Sequence, residues 1–384
     1  MASWALPEAI TQSYVNVDGL NVHILGAGSP ADPLILLLHG FPELSYSWRK
    51  TILPLAAAGY HVVAPDMRGY GRTCTQPVAY DDNLAPFRPI AIVRDIVALV
   101  AALRVSTVHA IVGHDMGSLV AGNCALLRPD LFKRVVCISV PFTGAPRYTV
   151  PPDHHNTPRG IIRPPPLLPL ISRALGALDP PRKHYTVYFS SPSADADMRN
   201  APGGLHGFMR AYYHVKSADG PANEAHELDV EKPIEAIAAA LPEYYVMRAE
   251  RDMPGSVLPH APSLAAVAEN RWLPEDELAV YVDEYARTGF QGGLNGYRCA
   301  TDPSGAWSAD LLAFSGKTVE VPAMFLAGKK DWGTWQFPGA VKLMESEFAK
   351  MEGRFILVDG AGHWVQQEQA EAVVKHLLGF FKET

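Results

Sequence analysis

Between the apolar run Val108-His109-Ala110-Ile111-Val112 and an apolar helical pattern, residues 113–118 read Gly113-His114-Asp115-Met116-Gly117-Ser118. Glycines two residues either side of a central position allow a sharp strand-to-helix turn that presents the central side chain in a cleft. Serine is usual at such an apex and needs a base to become nucleophilic. Aspartate is already an anion at pH 7. Its attack on an ester carbonyl would give an anhydride, which reverts easily. Displacement at a saturated carbon gives instead an alkyl ester that water can cleave. The residue types therefore point to epoxides or alkyl halides.

Two further groups could complete this chemistry. Gly328-Lys329-Lys330-Asp331 follows a late strand pattern, and Asp359-Gly360-Ala361-Gly362-His363-Trp364 follows the last one. Nucleophile, acid and base in that chain order are the order of the α/β-hydrolase fold. His363 is expected to be the general base that activates water, and Asp331 to hold its ring and stabilise the imidazolium. The turn Pro141-Phe142-Thr143-Gly144-Ala145 holds no carboxylate, which leaves Asp331 as the acid. The alternatives are an acid that merely favours a helix N-terminus for Asp115, an N-cap for Asp331, and a loop histidine for His363. Asp359 reads as a brace for its turn. In His39-Gly40-Phe41-Pro42, the Phe41 amide pairs with the Met116 amide as a candidate oxyanion hole. Phe41, Pro42, Met116 and Trp364 are the candidate substrate contacts.

Taken together, His39-Gly40-Phe41-Pro42, Gly113-His114-Asp115, Gly328-Lys329-Lys330-Asp331 and Gly362-His363-Trp364-Val365-Gln366-Gln367-Glu368 resemble the epoxide hydrolases of the α/β-hydrolase superfamily. His184-Tyr185-Thr186-Val187-Tyr188-Phe189 is similar to the segment that carries that family's first lid tyrosine. The stretch from Thr288 to Arg298 is similar to the segment that carries the second. The resemblance implies that Tyr185 and Tyr297 hydrogen-bond the epoxide oxygen and protonate it as the ring opens. Tyr188, Tyr212, Tyr213, Tyr244 and Tyr245 are rivals to Tyr185. The chain departs from the family in having Met116 where Trp usually follows the nucleophile, and Gly296 where Trp usually precedes the second lid tyrosine. Two lost indoles suggest a roomier pocket and a bulky or branched substrate. The proline-rich approach to the lid is also longer than usual.

These residues need a scaffold. Tyr14–Val17 and Leu20–Ile24 read as strands joined at Asp18-Gly19. Residues 33–38, 60–64, 108–112 and 135–140 read as strands buried on both faces, with helical patterns at 92–103 and 121–127. The alternation predicts a mostly parallel sheet flanked by helices. It breaks in the proline-rich stretch 141–182 and returns at 321–327 and 355–358, before a final helix over about 369–382. The expected organisation is an α/β-hydrolase core of residues 1–145 and 304–384. Residues 146–303 would form a mainly helical lid, or cap, inserted after the sixth strand.

The chain has 384 residues, 48% hydrophobic and 19% charged, with a net charge of −7 and no long basic run, so neither nucleic acid nor membrane insertion is expected. Four cysteines without metal-ligand spacing and a start without signal-peptide character suggest a cytoplasmic protein. His39 and His114 read as structural, as does the loop from Asp66 to Arg72. His154, His155, His184, His206 and His214 fit no metal site, and no cofactor is expected. The reaction would need only an epoxide and water. The alternatives are a haloalkane or haloacid dehalogenase using the same Asp115, or a ligand-binding protein that keeps the pocket without catalysis. Met116 lacks the indole donor that haloalkane chemistry uses, and neither alternative needs two lid phenols.

Overall fold

The computed structural model describes residues 4–148 and 167–382. The proline clusters at 151–152 and 164–166 and the pair His154-His155 lie outside them. An eight-stranded sheet has the order β1-β2-β4-β3-β5-β6-β9-β10. Its strands are β1 (Thr11–Val17), β2 (Leu20–Ala27), β3 (Leu34–Leu38), β4 (His61–Pro65), β5 (Val108–His114), β6 (Val135–Ile138), β9 (Ala323–Gly328) and β10 (Phe355–Val358). The first hairpin pairs antiparallel and joins β4 antiparallel, while every other pair is parallel. The central strands are buried along their length because helices cover both faces, which is why they read as unbroken apolar runs. Those helices are α1 (Arg49–Ala57), α2 (Pro89–Ala102) and α3 (Met116–Leu127), then α13 (Ala340–Glu347), α14 (Val365–Glu368) and α15 (Ala370–Phe381) near the end of the chain.

Between β6 and β9 the described chain is mainly helical. It runs through α4 (Leu167–Gly176), α5 (Tyr185–Phe189), α6 (Ala194–Arg199), α7 (Gly204–Lys216), α8 (Ile234–Ala240), α9 (Met253–Val257), α10 (Leu264–Glu269), α11 (Glu275–Thr288) and α12 (Gln291–Thr301). A small antiparallel pair, β7 (Arg182–His184) with β8 (Val246–Arg248), was not visible as periodicity, since three residues are too few to show it.

Register aligns the ends of the parallel strands. Leu38 pairs with Gly113, Gly113 with Cys137, and Cys137 with Phe325. The loops holding His39 to Pro42, Asp115, Asp331 and His363 therefore all leave the C-terminal edge of one sheet, where open α/β sheets form their crevice.

Candidate active site

Asp115 sits at the turn from β5 to α3 with φ 51° and ψ −118°, a backbone conformation unusual for a residue with a side chain. The flanking glycines make it possible. A Cβ on Gly113 would lie 1.9 Å from the Gly117 carbonyl oxygen, and one on Gly117 would lie 2.4 Å from the Leu38 oxygen. Helix, elbow and β3 thus close to backbone contact, and Asp115 is 4% exposed.

The Phe41 N–H donates to Asp115 Oδ1 at 3.0 Å. The other oxygen, Oδ2, lies 3.5 Å from His363 Nε2, at the outer limit of a hydrogen bond. That nitrogen has no hydrogen-bond partner among the described residues. The opposite ring nitrogen, Nδ1, is 3.0 Å from Asp331 Oδ1. Met116 is the first residue of α3, so its amide is one of the helix's first-turn donors, which lack a partner four residues back.

Burial alone would raise the Asp115 carboxyl, but contact with His363 and its charge, then Lys216 and His114, hold it well below the usual carboxylate range. Burial opposes ionisation of Asp331 too, and the charge and hydrogen bond of His363 again outweigh it. Both carboxylates are therefore anions at neutral pH.

Tyr185 begins α5 and Tyr297 lies in α12; both are buried, with ring centroids 6.0 Å apart. The Tyr185 hydroxyl interacts with the Tyr297 hydroxyl and with the Gln336 side chain. Burial raises both phenols, and the Asp115 anion is the largest charge acting on each. The structure so places both tyrosines within reach of the Asp115 charge. It also separates Tyr185 from most of its rivals. Tyr188 donates to Asp197, Tyr213 to the Pro42 carbonyl and Tyr244 to Asn223. Tyr212 accepts from Lys216 Nζ at 3.5 Å, and the Tyr245 hydroxyl has no partner among the described residues.

Several residues with a part in this geometry carry little sequence signal. Glu43, fully buried, takes the Gly40 N–H and the amides of Gln366 and Gln367, and pairs with His114 Nδ1 at 2.5 Å. The Nε2 of His114 meets the His363 carbonyl at 2.7 Å. Burial lowers the His114 pKa, but the Glu43 charge and bond more than reverse it, so the pair is ionised. Lys216 Nζ stands among the rings of Tyr245, Tyr212 and Trp364 at 4.9, 5.2 and 5.7 Å. Glu368 accepts the N–H groups of Ala218, Gly362 and Trp364, fixing both neighbours of His363. A buried Glu or Lys in a loop or helix reads as a solvated charge in sequence. His114 and Glu368 lie inside the motifs that carry the resemblance, but their partners are not legible there.

Four other expectations meet structural facts. Phe41 packs edge-on against Tyr297 at 5.5 Å and Phe189 at 5.2 Å, at the face of the site. Met116 lines a cavity of about 420 Å³. Pro42 is tied through its carbonyl to Tyr213. The Trp364 indole is fully buried, donates to the Tyr213 carbonyl at 2.8 Å and packs on the Tyr213 ring at 4.5 Å. It is a wall behind His363, because a buried indole N–H must find an acceptor and this one found backbone. His39 links the Gly40 carbonyl to the Met67 amide, a turn-shaping role. Among the described residues, no cluster of His, Cys, Asp and Glu has the arrangement of a metal site. No described helix is long and apolar enough to cross a membrane.

A family model of the alpha/beta hydrolase fold matches residues 33–181. Epoxide hydrolase A of Mycobacterium tuberculosis is 33% identical over 377 residues, covering 97% of this chain and 97% of the relative. Among solved structures, an epoxide hydrolase from an endophytic Streptomyces superposes with a TM-score of 0.74 at 30% identity, over 97% of this chain and 96% of that one. Epoxide Hydrolase A from Mycobacterium thermoresistibile does so with a TM-score of 0.72 at 32% identity, over 97% and 98%.

Proposed function

The chain belongs to the epoxide hydrolases of the α/β-hydrolase fold, hydrolases that act on ether bonds, and from that premise we propose how its own residues divide the reaction. Asp115 Oδ2 attacks a ring carbon, the ring C–O bond breaks, and Tyr185 or Tyr297 gives its proton to the departing oxygen. A hydroxyalkyl ester of Asp115 and a tyrosinate result. His363 then takes a proton from water as the water oxygen adds to the ester carbonyl. Charge builds on Oδ1, where the Phe41 N–H already points and the Met116 amide is the second donor. Collapse expels the diol. Of the two protons of the consumed water, one reaches the leaving alkoxide and the other restores the tyrosinate. Asp331 orients His363 and stabilises the imidazolium.

The observation that carries this reading is the asymmetry of Asp115. One oxygen is held by a backbone N–H at 3.0 Å, while the other faces an unpartnered His363 nitrogen at 3.5 Å. An Asp that only capped a helix would not be divided in this way. The cap is read as residues 146–303, inserted into a core of 1–145 and 304–384. Its support is that the strands of the large sheet all fall outside it and both lid tyrosines inside. The four free, buried thiols support a reducing, cytoplasmic setting. The substrate is read as bulky or branched, because Met116 and Gly296 stand where the family usually has indoles.

The test is intact mass of His363→Gln exposed to a mixed panel of epoxides and haloalkanes. Loss of the base should stall the enzyme as the Asp115 ester, seen as a gain of one full epoxide mass. A gain equal to a haloalkane less its hydrogen halide would instead assign halide displacement. No adduct with any compound would count against the catalytic reading and favour a pocket that only binds.

A further inference from the structure

The cavity beside the site has an order that the bulk of its substrate alone does not explain. On one wall are Met116, Leu119, Val120 and Asn123, spaced i, i+3, i+4 and i+7, a single stripe of α3. The facing wall is α12, which presents Gly292, Gly293 and Gly296. An apolar helical stripe is normally covered by side chains of its neighbour. Here α12 supplies only the small side chains of Cys299 and Ala300, and a slot remains beside Gly296. A Cβ added at Gly296 would meet nothing within 4 Å except the Met116 methyl at 3.2 Å. The volume of about 420 Å³ is within the range of small-molecule sites. The slot does not include Asp115. It begins at the residue after it.

At its far end Asn123 is 7% exposed. Its Nδ2 donates to the Leu119 carbonyl at 2.9 Å, which fixes which way the amide points. Its Oδ1 has no hydrogen-bond partner among the described residues. A buried amide oxygen without a donor costs stability unless something else satisfies it. Arg68, also on this wall, is committed to a two-point pair with Asp95 at 2.6 and 3.0 Å. Among the described lining residues, Asn123 is therefore the one whose buried side-chain acceptor is left for a ligand.

Resting on the reading of Asp115 as nucleophile, we infer that the substrate is an elongated epoxide whose apolar arm lies along the α3 stripe and presents a hydrogen-bond donor, such as a hydroxyl, to Asn123 Oδ1. Seven helical residues separate Met116 from Asn123, about 10 Å of axial rise, which an arm of roughly eight carbons spans.

The test compares kcat/KM for 1,2-epoxybutane, 1,2-epoxydecane and 9,10-epoxydecan-1-ol. The wild-type enzyme should favour both ten-carbon compounds over epoxybutane by at least about tenfold, from the apolar surface that the slot buries. Asn123→Leu, close in volume but without the acceptor, should lower the preference for the hydroxylated over the plain ten-carbon epoxide by about fivefold, the worth of one net hydrogen bond. Gly296→Phe should grow into the slot and collapse the preference for long over short epoxides. If it fails to fold, Val120→Phe narrows the slot from the other wall and reads the same ratio. Equal use of short and long epoxides, or ratios unmoved in these variants, overturns the inference and leaves the Asp115 mechanism standing. Failure of every epoxide to give diol, together with no adduct on His363→Gln, would overturn the mechanism itself.

Discussion

In the proposed mechanism, Tyr185 and Tyr297 act in only one of the two half-reactions. Ring opening leaves an alkoxide, and a phenol held against it supplies the proton, while ester hydrolysis draws on His363 and the backbone donors. Tyr297→Phe should therefore slow formation of the Asp115 ester by about 10²-fold, the lower range for a general acid, and leave its hydrolysis within about twofold. Tyr185→Phe should do the same less severely if either phenol can donate, and the double variant should form almost no ester. Single-turnover quenching with mass detection of the ester separates the steps; equal slowing of both would refute the division. At this scale the sequence was informative where chemistry constrains spacing. Gly113, Asp115 and Gly117 mark the elbow because a Cβ at either glycine strikes backbone. Asp331 and His363 follow from chain order. Tyr185 could not be separated from Tyr188, Tyr213 or Tyr244 by composition, because what distinguishes them is where each hydroxyl finds its partner. The partners of Trp364 were hidden for the same reason: adjacency to His363 in sequence does not say that its indole turns to the Tyr213 carbonyl.

Asp66 shows how an element boundary can be held by one side chain. It follows β4 and is fully buried. It accepts the Ser45 and Arg72 amides at 2.8 and 2.9 Å and contacts His23 Nδ1 at 2.8 Å. It so ties β2, the turn before α1 and the loop after β4 to one point. Burial would raise its pKa, but the His23 bond and charge, with the Ser45 contact, bring it down to about 2 from 3.8. A depressed carboxylate contributes stability that is present above its unfolded value and lost as pH falls through the folded value. The shift is worth about 2 kcal/mol, present above roughly pH 4 and gone near pH 2. Urea unfolding across that window should show Asp66→Asn less stable than wild type at pH 7, with a flatter decline between pH 4 and 2. Parallel curves would mean that Asp66 is not what titrates. The strands themselves were readable, because a central parallel strand must be apolar on both sides. This loop was recognisable as structural, but its partners were not, since they come from three separate segments.

In the whole molecule, Asp115 and His363 belong to the sheet's C-terminal edge, whereas Tyr185 and Tyr297 come from the mainly helical stretch between β6 and β9, the proposed insertion. In the proposed mechanism, catalysis then depends on how firmly the two parts are seated. Buried charges fasten them: Arg49 of α1 pairs with Glu277 of α11 and donates to Gln367 Oε1 at 2.8 Å, and Arg72 pairs with Glu284 at 2.9 Å. Arg49 is 6% exposed, so removing its carboxylate leaves a cation with little water to turn to. Glu277→Gln should cost about 2 kcal/mol, less than a fully buried pair because Glu277 keeps some solvent contact. The loss should be unevenly felt. Ester formation, which needs phenols delivered by the insertion, should slow, while hydrolysis of a preformed ester, which runs on Phe41, Asp331 and His363, should hold. Hydrogen exchange should rise in α11 and α12 before it rises in β5. If hydrolysis falls in step with ester formation, the two parts are one rigid unit, and the separation of tasks between sheet edge and insertion has no energetic counterpart.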